Sequence, residues 1–200
     1  MPEPRAEKGK LTVPSQGAAL LIVDMISCWD FPDADKLTPA ALALAPHIAE
    51  LKQRCRRSGM PVVYCNDNRG RWRSDFRQLI SLARRAGGAP AAITRQLLPD
   101  GEDYFVLKPK HSGFFCTPLE LLLHELKVRR LLVTGVASDQ CILVTASEAR
   151  MRNFEVIVPS DCVASQSPER NDIVLRQFRE THKLKTPLAA DLEFKPVKKP

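Results

Sequence analysis

The sequence has no apolar run long enough to cross a membrane, and its first residues lack the apolar core of a secretory signal peptide. It also lacks CxxC pairs and any Cys/His spacing typical of zinc sites. The six cysteines lie mostly in or beside apolar segments, as small buried side chains do in a reducing compartment. We therefore expect a cytoplasmic protein with no membrane segment, no metal and no other cofactor.

Charge of one sign is not concentrated anywhere, although the chain carries a formal net charge of +7. Basic residues are scattered over several segments, and no recognised nucleic-acid-binding motif is present. Scattered charge of this kind is typical of solvated helix faces, and we expect no nucleic-acid partner. Charge-driven binding to nucleic acid is the weaker alternative, and the positive charge leaves open a preference for an anionic substrate.

Apolar segments of strand length alternate with segments of helical periodicity along the chain. The predicted strands are 18–25, 60–67, 103–109, 129–136 and 153–163, and the predicted helices are 39–59, 74–88, 117–128, a segment that begins near Cys141, and 167–184. Continuously apolar strands separated by helices indicate a parallel sheet that is covered on both faces. The sequence therefore predicts a doubly wound α/β fold.

No internal repeat or low-complexity tract divides the 200 residues. A chain of this length and apolar content can bury one substantial core without disulfides. We expect a single domain over 1–200, with its core at about 17–190. The ends, 1–14 and 193–200, are expected to be flexible.

Three reactive side chains follow strands of the predicted sheet: Asp24, Lys108 and Cys141. Because ligands of open parallel sheets bind at the carboxyl ends of the strands, we expect a carboxylate, an ammonium and a thiol to meet there. A helix N-terminus and a lysine favour the thiolate, and a carboxylate can take the thiol proton. Taken singly, each residue has an ordinary alternative: a capping carboxylate, a surface lysine and an inert buried thiol. Among the histidines, His111 is close to Lys108 in sequence, but nothing requires it.

The stretches LLIVDM at 20–25, VLKPKHSGFFCTPLELLL at 106–123 and LLVTGVASDQCILVTASEA at 131–149 carry a family resemblance. From about residue 18 to 190 the chain resembles the isochorismatase-like cysteine hydrolases. The resemblance implies a Rossmann-like, mostly parallel sheet with helices on both faces. It also implies a dimer or tetramer of identical chains that acts on a small-molecule substrate.

Carried over by position, the resemblance makes Asp24 the general base, Lys108 the triad lysine and Cys141 the nucleophile. It implies a cis peptide bond between Val136 and Ala137, and an oxyanion hole formed by the amides of Ala137 and Cys141. The side chains expected around the substrate are Trp29, Asn66, Asn68, Trp72, Ser112 and Phe114.

Two departures from the family pattern limit the substrate. Ile26 occupies a position where many relatives have glutamine, and the stretch NDNRGRWRSDF after the second strand lacks the histidine of a nicotinamidase metal box. The resemblance adds that true isochorismatases generally lack the cysteine, so the presence of Cys141 favours hydrolysis of a C–N bond in a small amide or N-carbamoyl compound. Vinyl-ether hydrolysis of the isochorismatase type, nicotinamidase activity and a catalytically silent binding or scaffold role are the alternatives. The basic loop 69–73 is interpreted as a substrate-carboxylate site, a neighbouring subunit's lid or an ordinary solvated loop.

Overall fold

The computed structural model describes residues 9–70, 72 and 75–195, in which eight strands and six helices alternate. The strands are β1 (Leu11–Pro14), β2 (Ala18–Val23), β3 (Val62–Asp67), β4 (Tyr104–Lys108), β5 (Arg130–Val136), β6 (Glu155–Ile157), β7 (Val163–Ala164) and β8 (Leu192–Lys195). The helices are α1 (Ala34–Arg57), α2 (Phe76–Arg85), α3 (Gly88–Gln96), α4 (Leu119–Glu125), α5 (Leu143–Met151) and α6 (Pro168–Glu180).

The central sheet is parallel throughout, with strand order β4-β3-β2-β5-β6, and β7 pairs with the end of β5. Alternate side chains of β2 enter two separate cores. Leu20 and Ile22 pack with α1 to α3, whereas Leu21 and Val23 pack with α4 to α6. Because both faces are covered, β2 is apolar throughout rather than alternating. These features confirm the predicted doubly wound α/β fold in a single domain.

The winding direction changes at β2, which has β3 on one side and β5 on the other. At this point β5 approaches β2 very closely. Gly135 has φ 112°, and a Cβ added there would lie 2.0 Å from the carbonyl oxygen of Val23. Only glycine fits such a contact. The crevice where ligands bind in folds of this type therefore opens beside Gly135, where β2 and β5 end.

Several element boundaries differ from the predictions. Helix α1 begins at Ala34 rather than at Pro39, because Ala34 and Leu37 are buried against the core. Helix α3 was not predicted, since GAPAAITRQ buries only Ile93 and Thr94. The predicted strand 153–163 is instead β6, a 3₁₀ turn and β7. Ser74, the predicted start of the second helix, lies outside the described residues.

The inner part of each chain end, expected to be flexible, contains a strand that pairs with the other end. Strands β1 and β8 form a separate parallel pair, from Leu11 opposite Leu192 to Pro14 opposite Lys195. Val13 and Leu192 are both buried in the first core. This pairing of residues about 180 positions apart has no local signature, which is why sequence periodicity did not reveal it. The outermost residues, 1–8 and 196–200, lie outside the described part of the chain.

Candidate active site

A cavity of about 640 Å³ lies at the carboxyl ends of the central strands. Asp24, at the end of β2, and Cys141, beyond β5, both line it. Lys108, the last residue of β4, contacts both of these side chains but does not itself line the cavity. The fold therefore brings together the three reactive residues that the sequence analysis placed at strand ends.

The Lys108 side chain is completely buried, and its ammonium group has three acceptors. It lies 2.8 Å from Asp24 Oδ2, 3.4 Å from Cys141 Sγ and 3.3 Å from the Lys110 carbonyl oxygen. An ammonium group has three N–H donors, so these contacts account for all of them. The Lys108 ammonium group thus contacts both the Asp24 carboxylate and the Cys141 thiol.

Burial alone would lower the pKa of Lys108, but the charges of Asp24 and Cys141 and a hydrogen bond to Asp24 outweigh it and raise that pKa. The effect on the thiol differs from the prediction. Burial, the negative charge of Asp24 and a hydrogen bond to Asp24 raise the pKa of Cys141, and Lys108 opposes this only in part. This direction favours a neutral thiol over a preformed thiolate in the resting site. The prediction that the helix and the lysine favour the thiolate omitted the cost of burial.

The Asp24 carboxylate is fixed by the strand beside it. Asp24 has φ 54°, so the chain turns sharply as β2 ends. Its backbone N–H donates to the Cys65 carbonyl at 3.0 Å, and its Oδ1 accepts a hydrogen bond from the Asp67 N–H at 2.7 Å. One carboxylate oxygen is thus held by the backbone of β3 and the other by Lys108.

Cys141 lies in a π-helical turn, Ser138–Ile142, that directly precedes α5. The peptide bond between Val136 and Ala137 is cis, at the position that the resemblance implies. The Ala137 carbonyl accepts from the N–H groups of Gln140 and Ile142, each at 3.1 Å. The turn thereby places Ala137 and Cys141 side by side on the cavity wall.

His111 is the neighbour of the thiol that the sequence left undecided. Its Nδ1 lies 3.6 Å from Cys141 Sγ, and its ring lines the cavity. The signal for it was its place three residues after Lys108, in the loop that follows β4. That signal alone did not show that the loop folds back over the thiol.

The residues predicted to surround the substrate divide into two groups. Trp29 and Asn66 line the cavity. Four others, Asn68, Trp72, Ser112 and Phe114, are not among the residues that line it, and their role around a substrate stays a prediction.

The four residues outside the cavity have other contacts or face solvent. Asn68 is buried and its side chain accepts from the Gly70 N–H, Ser112 accepts from the Phe114 N–H, and Phe114 stacks on Phe154 in the second core. The Trp72 side chain is 81% exposed. Arg71 and Arg73, the neighbours of Trp72, lie outside the described residues.

Some lining residues were missed because they come from loops that no strand-end rule identifies. They include Asp30 and Asp33 before α1, Gln140 in the π-helical turn, and Gln166 before α6. Arg69 also lines the cavity, and its guanidinium is bound to Asp30. Among the described residues of the basic loop, Arg69 thus contributes a cation to the cavity that is already paired with a carboxylate.

Comparison with known proteins agrees with this geometry, since residues 18–189 match the Isochorismatase domain. The chain belongs to the isochorismatase family of hydrolases. It is 39% identical to the uncharacterized isochorismatase family protein YaaI of Bacillus subtilis over 157 residues, which are 78% of this chain and 86% of YaaI.

Solved structures of the family share the fold. An isochorismatase family protein from Desulfovibrio vulgaris superposes with TM-score 0.71 at 24% identity, covering 88% of this chain and 95% of that one. The N-carbamoylsarcosine amidase of Thermoplasma acidophilum gives TM-score 0.60 at 26% identity, covering 86% and 96%. Further family members are named nicotinamidase and isochorismatase. Some relatives are longer, and the chain spans 57% of the Enterobactin synthase component B of Escherichia coli.

The end of β3 and the loop after it, which lack the histidine of a nicotinamidase metal box, contain Asn66, Asp67 and Asn68. The amide nitrogen of Asn66 donates to the Ile26 carbonyl at 2.8 Å, and Asp67 accepts from the Arg69 N–H. Within 9–70, 72 and 75–195, no three His, Cys, Asp or Glu side chains are grouped as metal ligands would be. These donors do not fit a metal site, and no step below uses one.

Proposed function

We propose that this isochorismatase-family hydrolase cleaves the C–N bond of a small amide or N-carbamoyl compound through a thioester on Cys141. The observation that carries the proposal is the Lys108 ammonium, which bridges Asp24 and Cys141 at 2.8 and 3.4 Å at the edge of a cavity. A neutral thiol beside a fixed carboxylate is the arrangement that general-base activation of a nucleophile requires.

In the first half-reaction, Asp24 takes the proton of Cys141 as the sulfur attacks the carbonyl carbon. The raised pKa of the thiol means that deprotonation accompanies attack rather than preceding it. Lys108 stays protonated and stabilises the negative charge that forms on sulfur. The proton held by Asp24 then passes to the leaving nitrogen, and ammonia or an amine departs as the C–N bond breaks.

We assign the stabilisation of the oxyanion in the tetrahedral intermediate to the backbone N–H groups of Ala137 and Cys141. Both residues line the cavity at the turn after β5, where fixed backbone dipoles stabilise developing charge without rearrangement. In the second half-reaction, Asp24 takes a proton from water, which attacks the thioester carbon. The acid product leaves, and Cys141 recovers its proton.

The family relatives support C–N hydrolysis without fixing the substrate. One structural relative is an N-carbamoylsarcosine amidase, and others are nicotinamidases. Vinyl-ether hydrolysis and nicotinamidase activity are the alternative reactions, and a silent binding protein is the third. The three predicted triad residues are present and in contact, which favours a working hydrolase over the silent protein.

The deciding experiment measures ammonia release from primary amides, N-carbamoyl amino acids, ureides and nicotinamide, with pyruvate release from isochorismate in parallel. We expect activity on at least one C–N substrate, and Cys141→Ala to reduce it by at least about a thousandfold because the nucleophile is lost. Cys116→Ala is the matched control, since Cys116 is an exposed free thiol outside the cavity lining.

Three results would contradict the proposal. Unchanged turnover in Cys141→Ala would show that the reaction does not pass through a thioester on Cys141. Loss of activity in Cys116→Ala of the same size as in Cys141→Ala points to misfolding rather than chemistry, a point that circular dichroism of both variants checks. Pyruvate release from isochorismate without any amide hydrolysis moves the assignment to the ether reaction.

We propose further that the enzyme works in the cytoplasm as a homo-oligomer. The cysteines of the described residues are all free, and no helix described for this chain combines the length and apolarity needed to span a membrane. Light scattering coupled to size-exclusion chromatography measures the number of chains directly. A monomer at micromolar concentration would contradict the oligomer.

A further inference from the structure

The charge around the cavity is opposite in sign to the charge of the whole chain. Four carboxylates, but one permanent cation among the described residues, line the cavity: Asp24, Asp30, Asp33 and Asp67, with Arg69. Two cations beside the lining offset part of this charge, since Lys108 lies 2.8 Å from Asp24 and Lys36 lies 2.7 Å from Asp33. The net charge of +7 is therefore a poor guide to what the cavity binds.

The Arg69 guanidinium is already paired with a carboxylate of the cavity wall. It is bound to Asp30, and this contact raises the pKa of Arg69 despite its partial burial. Asp33 has its own partner in Lys36, at 2.7 Å. Asp67 has no ion-pair partner among the described residues. An anionic ligand would therefore meet an uncompensated carboxylate and no unpaired cation on the described wall.

Two buried polar atoms of the cavity wall also have no hydrogen-bond partner. They are the carbonyl oxygen Oδ1 of Asn66 and the indole nitrogen Nε1 of Trp29. Asn66 is 1% exposed and Trp29 is 8% exposed, and both line the cavity. A buried polar group left unpaired costs about 1 to 3 kcal/mol. Both atoms have less than 1 Å² of accessible surface, so a ligand recovers that cost when a small shift of the wall lets it offer an N–H to Asn66 and an acceptor to Trp29.

We propose that the cavity is selective for an uncharged or cationic amide or ureide and discriminates against substrates that carry a carboxylate. An N–H of the ligand pairs with Asn66 Oδ1, and a carbonyl or other acceptor of the ligand pairs with Trp29 Nε1. This inference rests on the proposed C–N hydrolase function and narrows its substrate class. We therefore expect N-carbamoyl amino acids and isochorismate to be poorer substrates than neutral amides and alkylureas.

The test compares ligands that differ in a single charged group. Butanamide, β-alaninamide and succinamate share the CH2CH2CONH2 unit and end in a methyl, an ammonium and a carboxylate group, so they are neutral, cationic and anionic at pH 7. Propylurea and N-carbamoyl-β-alanine form a second pair. We expect kcat/KM of the native protein, and affinity of Cys141→Ala measured by NMR titration, to be at least about tenfold higher for the neutral or cationic members.

Two variants connect the selectivity to named atoms. Asp67→Asn keeps the oxygen that accepts from the Arg69 N–H, and we expect it to narrow the discrimination against the anions severalfold. Trp29→Phe removes the indole donor, and we expect it to weaken binding of neutral amides to Cys141→Ala severalfold. Glu102→Gln, which removes an exposed charge just before β4, is the control for charge alone and leaves the discrimination unchanged.

The outcomes separate this inference from the proposed function. Hydrolysis of the anionic members as fast as the neutral ones, with full dependence on Cys141, overturns the selectivity and leaves the hydrolase standing. Binding of neutral amides to Cys141→Ala without turnover by the native protein supports the selectivity and contradicts the hydrolase. Absence of binding for every member overturns the selectivity.

Discussion

Two lysines of this chain are buried in the same fold, and their surroundings differ. Lys52, on α1, lies 3.0 Å from Asp103 and donates to the Tyr64 hydroxyl at 2.8 Å and to the Leu98 carbonyl at 2.9 Å. Lys108 also has a carboxylate and a backbone carbonyl, but its third acceptor is the Cys141 sulfur. Lys52 does not line the cavity, whereas both side-chain partners of Lys108 do.

The difference teaches what separates a structural ion pair from a reactive one. The groups around Lys52 are a phenol, a carbonyl and a carboxylate that Arg56 also binds, so they hold α1 against the segment before β4. None of these groups lines the cavity, so they cannot exchange protons with a substrate there. The groups around Lys108 include a thiol and a carboxylate with access to a cavity of about 640 Å³, where a substrate can exchange protons with them.

The largest effect that this comparison predicts is on catalysis. Lys108→Met preserves much of the side-chain volume but removes the charge that stabilises the attacking sulfur. We expect kcat/KM for the best amide substrate to fall by at least about a thousandfold. Steady-state kinetics measures it, with circular dichroism to show that the fold is retained.

Lys110→Met is the matched control for that loss. Lys110 is exposed and only its backbone carbonyl contacts Lys108, so the same substitution there should leave kcat/KM within about twofold. Equal losses in the two variants would contradict the assignment of Lys108. Loss in Lys110→Met alone would move the triad lysine to position 110.

The second effect is on stability rather than on chemistry. Lys52→Met removes one partner of a buried ion pair, and we expect it to lower the free energy of unfolding by about 3 kcal/mol. Kinetics of the folded protein should change less than about twofold. Urea denaturation measures the first quantity. Lys36→Met, at an exposed lysine on the same helix, should lower the free energy of unfolding far less than Lys52→Met does.

How far the sequence predicts the fold depends on how local each signal is. The five central strands and α1, α4, α5 and α6 follow from apolar periodicity and capping; for example, the Ser167 side chain accepts from the Arg170 N–H at the predicted start of α6. The β1–β8 pair and α3 were missed. Long-range pairing of short strands leaves no periodic signal, and α3 is too short to show one.

The same limit applies to the site. Asp24, Lys108 and Cys141 stand at strand ends in recognisable segments, so their meeting was predictable from parallel-sheet geometry. The cavity wall was not, because Asp30 and Gln166 come from loops whose path depends on tertiary packing. The burial of Lys52 was not predictable from the sequence either. On sequence alone it resembles any solvated lysine of an amphipathic helix, and only the structure shows its buried partners.

The smallest predicted effect is on titration, where the pKa values of the two lysines should shift in opposite directions. Burial lowers the pKa of Lys52 below the ordinary lysine value of about 10.5, with Asp103 opposing only in part, while Asp24 and Cys141 outweigh burial and raise the pKa of Lys108 above that value. Below 10.5, the unfolded chain holds the Lys52 proton more tightly, so this lysine makes stability rise with pH. The contribution of Lys108 is complete below 10.5 and is lost as pH rises through its folded pKa.

NMR titration of the lysine Cε and Nζ signals measures both shifts, and spectra of Lys52→Met and Lys108→Met assign them. We expect Lys52 to lose its proton at lower pH than exposed lysines, and Lys108 to keep its proton when they have lost theirs. A lowered pKa at Lys108 would leave no permanent cation beside Cys141, and the sulfur would then need another source of stabilisation, with His111 the nearest candidate at 3.6 Å. Opposite shifts would show that burial alone does not set the charge of a lysine: the carboxylate and the sulfur beside Lys108 do.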